Sequence, residues 1–528
     1  MVDAVGSKTL QSEWNDIADY YSDCIFLEYV DITNNDTVTK YSYKEFDVII
    51  KKVVNHFLSI GIDQGELVGL HFFNSPYYIA CFLALGQIGA VAVPLNEHYT
   101  IHEIRYIVEK CNIQHLVVHD RFSDIYFDSK NVLAIQSLTI AANTKKRTSE
   151  LFDIYVLEDE IKQYGVKLNK RNTIKTSDMA VILFTSGTTS RPKGAIYTNY
   201  NVIYGGIFHA AQMGMEHGDR FLTTMPCYHM DFQQMALMPC IHTGSTLIMV
   251  ERFSARRFWK QVCDFKADFT ETMSMMNRTM LMQPVQDWER NHCVRQMYFS
   301  MGLSDKEKEE FENRFNIELL NSYGMTETVT GVTCCPIYGK KNWPSVGRVA
   351  PGYKIKIVDQ HGLEVPHGEI GEIYVLGEPG KTVISGYYKD EEKTQELFVD
   401  EGWIKTGDYG YFDINDWMFF VDRSQNMIKR SGESISCLEV ESVLTSHEEI
   451  LDAAVVGIKD SLRDEAVKAF IQLKPNASLS ENEIMEYCEQ YLAKFKVPTL
   501  IEFVDDFERT STGKIKKTAI AQKAIARI

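Results

Sequence analysis

The sequence has no excess of positive charge and no cysteine pattern that would build a metal site. Its 528 residues carry a net charge of −17, which argues against broad nucleic-acid binding, because such proteins usually present a basic face. The 11 cysteines include no Cys-x-x-Cys pair, so we expect reduced thiols without a disulfide framework or zinc site. Hydrophobic residues make up 45% and charged residues 24%, which is typical of a globular protein, and the length predicts two or more domains.

The N-terminus also lacks a basic region followed by an apolar stretch, so we expect no signal peptide. Residues 77–95, "YYIACFLALGQIGAVAVPL", are long enough to span a membrane, but Gly86, Gly89 and Pro94 interrupt them. A buried helix followed by a buried strand explains this stretch better than a transmembrane segment. We therefore expect a cytoplasmic protein. No pattern in the sequence predicts an oligomeric state.

Hydrophobic periodicity predicts the fold class. Residues 43–60 place apolar side chains at helical spacing, and Gly61 follows as a stop signal. Strand-like and helical segments then alternate up to residue 119 and again from 179 to 214, which favours α/β layers with largely parallel strands. Residues 345–420 change to short strands with frequent Gly and Pro, which indicates a β-rich part.

A boundary is expected within residues 420–436, because a compact α+β pattern follows it. Ser480 and Glu483 have the spacing of a capping box at the start of the last long helix of that pattern. We predict a large multi-layer N-terminal domain (residues 1–424) with mixed parallel sheets and a β-rich part. A small, mobile α+β C-terminal domain (residues 425–528) would complete the chain.

A polar loop between two apolar runs is the first candidate functional site. Residues 183–199 read "LFTSGTTSRPKGAIYTN". A Walker A loop would place Ser or Thr directly after the lysine, but Gly194 follows Lys193 here. The hydroxyl groups, the close backbone approach allowed by Gly187 and the positive charges of Arg191 and Lys193 suit a polyphosphate. A solvated polar loop is the alternative interpretation of this segment alone.

Three later segments carry further candidate residues. "NSYGMTETVTG" (321–331) offers Tyr323 for stacking on a base and Glu327 for a magnesium ion, which prefers carboxylate oxygen. "GWIKTGDYGYF" (402–412) places Asp408 where a carboxylate could accept ribose hydroxyls. "RTSTGKIKK" (509–517) places Lys514 on a Gly-bearing loop. A polar turn, a hairpin turn and a basic tail are the respective structural alternatives.

Taken together, the four segments resemble the adenylate-forming superfamily of acyl-CoA synthetases, peptide-synthetase adenylation domains and luciferases. The match covers nearly the whole chain, and "TSGTTSRPKG", "YGMTE", "TGD" and "TGKI" follow in the family's order. The resemblance implies a two-step reaction with ATP and Mg²⁺. A carboxylate attacks the α-phosphate of ATP and releases pyrophosphate, and a thiol, usually that of coenzyme A, then displaces AMP.

The resemblance also implies residue roles. The implied ATP-binding residues are Thr185, Ser186, Gly187, Thr188, Thr189, Lys193, Asn321, Tyr323, Gly324, Asp408 and Arg423. The loop residues would hold the outer phosphates, Asn321 and Tyr323 would face the adenine, and Asp408 with Arg423 would bind the ribose. Thr326 would contact phosphate.

The implied catalytic residues are Lys514, Thr326 and Glu327, with Glu327 also as the metal ligand. Lys514 would bridge the substrate carboxylate and the α-phosphate. Because negative charge builds on the phosphoryl oxygens, a desolvated ammonium and a magnesium ion stabilise the transition state.

The small domain of the family rotates between the two half-reactions. By resemblance, Gln425 is the expected hinge and Gly432 the expected coenzyme A contact. Gln425 departs from the Asp or Lys of many relatives, and Glu508 stands where relatives often have Pro. Gly302, in "FSMGLS", is a single glycine where many relatives have two, so the acyl pocket that it would line is expected to differ in shape.

Segments outside the ATP motifs, such as "RFSARRFWKQV" and "GIKDSLRDEAVKAF", resemble the crotonobetaine/carnitine–CoA ligase subfamily. Carnitine, crotonobetaine or a related betaine acid is the expected substrate. His229 would gate the acyl pocket, unless it is a buried structural histidine. The alternatives are a fatty acid substrate, transfer to a carrier-protein thiol, and a nucleotide-binding regulator without catalysis, which the presence of Lys514, Glu327 and Asp408 argues against.

Overall fold

The computed structural model describes residues 3–34, 36–127, 133–142, 147–168, 172–185, 192–300, 302–423, 426–430, 433–460, 464–510, 514–517 and 520. The elements up to residue 163 are α1 (Leu10–Tyr20), β1 (Ile25–Asp31), β2 (Thr37–Ser42), α2 (Tyr43–Ser59), β3 (Leu67–His71), α3 (Pro76–Ile88), β4 (Val91–Leu95), α4 (Ile101–Cys111), β5 (His115–His119), α5 (Asp120–Phe127), β6 (Ser137–Ala141), β7 (Asp153–Val156) and α6 (Leu157–Gln163).

The next elements, up to residue 334, are β8 (Met179–Thr185), β9 (Lys193–Thr198), α7 (Asn199–Met213), β10 (Arg220–Thr223), a π-helix (Asp231–Leu237), α8 (Met238–Thr243), β11 (Thr246–Val250), α9 (Phe258–Asp264), β12 (Phe269–Met273), α10 (Ser274–Leu281), β13 (Gln296–Ser300), α11 (Asp305–Phe315), β14 (Leu319–Leu320), β15 (Ser322–Gly324), a 3-10 turn (Thr326–Thr328) and β16 (Gly331–Cys334).

The last elements are β17 (Arg348–Val349), β18 (Lys354–Val358), β19 (Gly371–Leu376), α12 (Glu391–Leu397), β20 (Phe398–Val399), a second 3-10 turn (Asp400–Gly402), β21 (Trp403–Phe412), β22 (Met418–Arg423), β23 (Met427–Arg430), β24 (Glu433–Ser436), α13 (Cys437–Thr445), β25 (Ile450–Asp460), β26 (Asp464–Leu473), α14 (Glu481–Tyr491) and β27 (Leu500–Phe503).

Two large sheets form the frame of the molecule. In the described part of the chain, one has seven strands in the order β7-β6-β5-β3-β4-β8-β9 and the other seven in the order β14-β13-β12-β10-β11-β1-β2. Their internal pairs are parallel, while β8–β9 and β1–β2 are antiparallel at the edges. The predicted α/β class with mixed, largely parallel sheets is therefore confirmed.

The apolar stretch at residues 77–95 is a buried helix and strand, as predicted. Ser75 caps α3 and Pro76 occupies its first turn, where a missing N–H costs no hydrogen bond. Gly89 ends the helix with a φ of 81°, a left-handed conformation that favours glycine. Every residue of β4 is buried. None of the described helices combines the length and the apolar character needed to cross a membrane.

The later part of the chain is β-rich, also as predicted. Described strands β15, β16 and β17 form a small antiparallel sheet, and β18, β19, β21 and β20 form another, with β22 paired to β21. After residue 426, β24-β23-β26-β25 form a further sheet in which β27 pairs with β26. Ser480 and Glu483 make the expected capping box at the start of α14.

Candidate active site

The two ends of the polar loop lie side by side at the edge of a large sheet. Strands β8 and β9 pair so that Thr185 faces Lys193, and the Thr185 hydroxyl donates to the Lys193 carbonyl at 3.5 Å. Ser186, Gly187, Thr188 and Thr189, which were predicted to bind phosphate, lie outside the described residues. The structure therefore locates the ends of the candidate phosphate loop.

Tyr387 links this loop end to Glu327. The Lys193 ammonium lies 4.5 Å from the centre of the Tyr387 ring, and the Tyr387 hydroxyl donates to Glu327 Oε1 at 2.6 Å. Burial, together with the Glu327 charge, raises the pKa of Tyr387, so its hydroxyl keeps its proton as a donor. Buried Tyr197 donates to the carbonyl of Thr326, which fixes the turn that carries Glu327.

A second cluster surrounds Asp408. The Tyr323 hydroxyl donates to Asp408 Oδ2 at 2.7 Å, and Arg423 Nε lies 3.3 Å from Oδ1. Strands β21 and β22 set this geometry, because Asp408 and Arg423 are direct cross-strand partners. Burial raises the pKa of Asp408, while Arg423 and the Tyr323 hydroxyl act in the opposite direction.

Gly324 and Asn321 lie on either side of Tyr323 along the chain. A Cβ on Gly324 would lie 2.6 Å from the Thr330 carbonyl oxygen, so the tight approach of β15 to the following chain requires glycine. Asn321 Oδ1 accepts a hydrogen bond from the Cys335 thiol at 2.9 Å. Both residues therefore lie beside the predicted adenine-facing tyrosine.

Lys514 lies near the Asp408 cluster. The Thr510 N–H donates to the Lys514 carbonyl at 2.7 Å, and the Lys514 N–H donates to Thr510 Oγ1 at 3.1 Å. The protein atoms around the ammonium lower the pKa of Lys514, and Arg423 lowers it further, while Asp231 and Asp408 partly oppose this. Lys514 as a residue is exposed, and an ammonium at this place is suited to contact a developing phosphoryl charge.

The predicted acyl-pocket residue His229 lies two residues before the start of the π-helix at Asp231. Its Nδ1 lies 3.2 Å from Asp231 Oδ2. Burial opposes ionisation of Asp231, but His229 and Lys514 outweigh it, so the pKa of Asp231 is lowered. Burial and the Asp231 charge raise the pKa of nearby Glu271, whose Oε1 accepts from the Thr223 hydroxyl at 2.7 Å. Short π-helical segments are frequent at functional sites.

The structure does not test the predicted roles of three further residues. Gly302 is exposed, and a Cβ on it would contact Leu438 of α13 at 3.5 Å. Its place in the acyl pocket stays a prediction. The expected hinge Gln425 and coenzyme A contact Gly432 lie outside the described residues.

Two residues of the site were not identified as functional from the sequence. Tyr387 contacts Lys193 and Glu327, which lie 194 and 60 positions away in the sequence, and no local sequence pattern indicates such contacts. Glu271 lies in the strand "FTETM", all of whose residues are buried. A lone carboxylate in an otherwise apolar strand was the available signal, because buried carboxylates are rare without a partner or a role.

Comparison with known proteins gives matches over nearly the whole chain. The model of the AMP-binding enzyme family matches residues 18–388, and the model of the AMP-binding enzyme C-terminal domain matches residues 439–514. The chain is 40% identical over 519 residues to a crotonobetaine/carnitine–CoA ligase of Proteus mirabilis, covering 98% of this chain and 99% of the relative. It is 39% identical over 522 residues to the protein of the same name from Escherichia coli, with coverage of 97% and 99%.

Solved structures share the fold at lower sequence identity. The anthranilate CoA ligase AuaEII in complex with anthranoyl-AMP superimposes with a TM-score of 0.88 at 23% identity, covering 98% of each chain. ATP-bound MatB from Rhodopseudomonas palustris gives a TM-score of 0.85 at 24% identity, covering 98% of this chain and 99% of that one. With the family models matching both parts of the sequence and full-length relatives at 40% identity, the chain belongs to the family of AMP-binding enzymes.

Proposed function

We propose that the carboxylic acid used by this AMP-forming acid–CoA ligase is a small betaine acid, such as carnitine or crotonobetaine. The observation that carries the proposal is the Asp231 carboxylate, which lies 3.2 Å from Nδ1 of the predicted acyl-pocket residue His229. Asp231 and Lys514 also act on the pKa of each other. A neighbouring carboxylate and ammonium complement a zwitterion, in which a carboxylate and a trimethylammonium group lie a few bonds apart.

Buried polar groups around Asp231 also favour a polar acid over an alkyl chain. Gln234, on the same π-helix, is fully buried, and both polar atoms of its side chain lack a hydrogen-bond partner among the described residues. A buried polar group without a partner costs about 1–3 kcal/mol, so a polar acid that reached Gln234 would bind better than a fatty acid. The names of the full-length relatives support the same substrate class.

In the proposed reaction, a carboxylate oxygen of the acid attacks the α-phosphorus of ATP, and the bond to pyrophosphate breaks. The sulfur of coenzyme A then attacks the acyl carbon, and AMP leaves. Lys514 holds the attacking carboxylate and the α-phosphate together. Asp408 accepts hydrogen bonds from the ribose, and the loop ending at Lys193 holds the outer phosphates.

Glu327 is the proposed ligand of Mg²⁺. The ion is commonly bound through one or two protein carboxylates together with substrate phosphates, so the buried carboxylate of Glu327, whose partner Tyr387 also contacts Lys193, fits this donor set. When bound, the ion neutralises phosphate charge. Tyr387 orients the Glu327 carboxylate by its hydrogen bond to Oε1.

We also propose the division into domains of residues 1–424 and 425–528. A separate hydrophobic cluster supports it: buried residues from Ile428 to Val497 pack together. Gln425 as the hinge, Gly432 at the coenzyme A site and Gly302 in the acyl pocket remain part of this proposal.

The substrate proposal is tested by measuring pyrophosphate release with carnitine, crotonobetaine and γ-butyrobetaine against short, medium and long fatty acids. We expect turnover with at least one betaine, and Asp231→Asn should lower the betaine-to-hexanoate ratio of kcat/KM by about tenfold or more, as for loss of a hydrogen-bonded charge partner. Asp264→Asn, which breaks the exposed pair with Lys260, is the matched control. Turnover of fatty acids alone would refute the betaine assignment and leave the ligase activity intact.

A further inference from the structure

A chain of ion pairs connects α10, next to the predicted acyl pocket, to the segment that carries Lys514. Glu307 of α11 pairs with Arg278 of α10 at 2.6 Å. Arg278 Nη1 lies 3.4 Å from Asp452 Oδ1, and Arg509 Nη2 lies 2.7 Å from Asp452 Oδ2. We call this series, Glu307–Arg278–Asp452–Arg509, the ion-pair chain. One carboxylate, Asp452 of β25, therefore lies between two arginines from different parts of the sequence.

The ion-pair chain is largely shielded from water. The exposed fraction of the side chain is 13% for Arg278, 9% for Asp452 and 20% for Arg509. Ion pairs in this environment are screened much less than surface pairs, and loss of one partner leaves the others uncompensated. Neutralising Asp452 would leave the positive charges of Arg278 and Arg509 near each other without the carboxylate that they share.

Arg509 is placed at the base of the Lys514 segment. Arg509 forms a β-bridge with Ile515, immediately after Lys514, and Thr510 exchanges hydrogen bonds with Lys514 at 2.7 and 3.1 Å. The other side of this segment is also held, because Lys517 pairs with Glu441 of α13 at 2.6 Å. The position of Lys514 is therefore coupled to Asp452 through Arg509.

Arg278, the second member of the ion-pair chain, also lies beside Gly302. Arg278 Nη2 lies 3.4 Å from the Gly302 carbonyl oxygen, and Arg278 belongs to the helix that follows β12, the strand of Glu271. Arg278 therefore links Gly302, a predicted acyl-pocket residue, to the Lys514 segment through Asp452 and Arg509.

We propose that Asp452 is a positioning residue for adenylation: through Arg509 it holds the Lys514 segment against Arg278, so that Lys514 faces Asp408 and Asp231. Asp452 itself contacts no reacting atom. The inference rests on the proposed role of Lys514 in adenylation and is independent of which acid is used. The thioester half-reaction starts from a finished adenylate and has no attack on the α-phosphate for Lys514 to assist, so it does not require the ion-pair chain.

The test compares the two half-reactions in the full-length enzyme. With the acid of the panel that the wild-type enzyme turns over best, Asp452→Asn should reduce acid-dependent ATP–pyrophosphate exchange by about tenfold to a hundredfold, since a buried shared charge is lost. Thioester formation from coenzyme A and the synthetic adenylate of the same acid should change less than about twofold. Asp452→Glu, which restores a carboxylate, should recover part of the exchange. An equal loss in both half-reactions, or no loss in either, would overturn the proposal.

A control and a second readout separate this inference from the substrate proposal. Glu502→Gln removes the 2.9 Å pair with Lys468 in the same sheet and should leave exchange unchanged. Hydrogen exchange of peptides containing Thr510 and Lys514 should be faster in Asp452→Asn than in wild type or Glu502→Gln. This arm uses no acid, so failure of the betaine assignment does not affect it. Unchanged protection of these peptides in Asp452→Asn would contradict the positioning role.

Discussion

Replacing Tyr323 with phenylalanine removes one hydroxyl from the Asp408 cluster and keeps the ring. The hydroxyl donates to Asp408 Oδ2 at 2.7 Å, and Asp408 is only 4% exposed. Hydrogen bonds to charged groups contribute about 1.5–3 kcal/mol. Because Arg423 still contacts the other oxygen at 3.3 Å, we take the lower limit, about 1.5 kcal/mol, which corresponds to about a tenfold weaker interaction with the ribose.

The expected result is a KM for ATP about ten times higher, with kcat nearly unchanged, because the ribose contact is made equally in the ground and transition states. Burial already raises the pKa of Asp408, and loss of the donor should raise it further. The acid limb of kcat/KM for ATP should therefore move to higher pH, since the ionised carboxylate is the form that accepts both ribose hydroxyls.

The assay is ATP–pyrophosphate exchange with ATP and with 2′,3′-dideoxy-ATP. Tyr298→Phe is the matched control, because Tyr298 is also a buried tyrosine but its hydroxyl lies 3.4 Å from the Gln212 carbonyl. The penalty of Tyr323→Phe should be much smaller with the dideoxy nucleotide, which lacks the hydroxyls that Asp408 would bind. An equal penalty with both nucleotides would refute the assignment of Asp408 to the ribose.

Further variants test the lysines and the buried acid of α13. Lys514→Ala should reduce the rate of ATP–pyrophosphate exchange by about 10²–10³-fold, by analogy with a lost oxyanion donor, at an unchanged Tm. Lys193→Ala should reduce the rate less, because Lys193 would contact the outer phosphates. A larger loss in Lys193→Ala than in Lys514→Ala would contradict these roles. Burial raises the pKa of Glu441 to about 7 from an ordinary 4.5, although Lys517 opposes this. The folded state thus holds this proton more tightly, and the contribution of Glu441 to stability, full below about pH 4.5, is lost as the pH rises through about 7. In calorimetry, Glu441→Gln should make the dependence of Tm on pH flatter than that of wild type between pH 5 and 8. Parallel Tm profiles of variant and wild type would contradict a raised pKa of Glu441.

The features that could be predicted from the sequence are those with local causes. The helix at residues 43–60 was predicted from its periodicity, and α2 places Phe46, Ile50 and Val53 in the core as that spacing requires. The capping box at Ser480 was predictable for the same reason, because its hydrogen bonds join residues three apart. Gly89, one of the residues that interrupt the apolar stretch in the sequence, is the residue at which α3 ends.

The features that were missed depend on distant contacts. Tyr387 contacts Glu327 and Lys193 only because β9 and the residues after Gly386 lie side by side in the fold. The π-helix at Asp231–Leu237 follows neither the helical nor the strand period. Arg278 and Asp452 are 174 positions apart, and two isolated charged residues have no sequence pattern that would indicate their pairing.

The central claim is that a carboxylate oxygen of the acid attacks the α-phosphorus of ATP, and isotope labelling of that oxygen tests it most directly. The enzyme is incubated with ATP, coenzyme A and the best acid of the panel, labelled with ¹⁸O in both carboxylate oxygens, and the nucleotide product is analysed by mass spectrometry. If a carboxylate oxygen attacks the α-phosphorus, that oxygen stays on phosphorus when the thiol takes the acyl group, and each AMP carries one ¹⁸O. Formation of ADP with the label in inorganic phosphate, or of unlabelled AMP, would contradict the account.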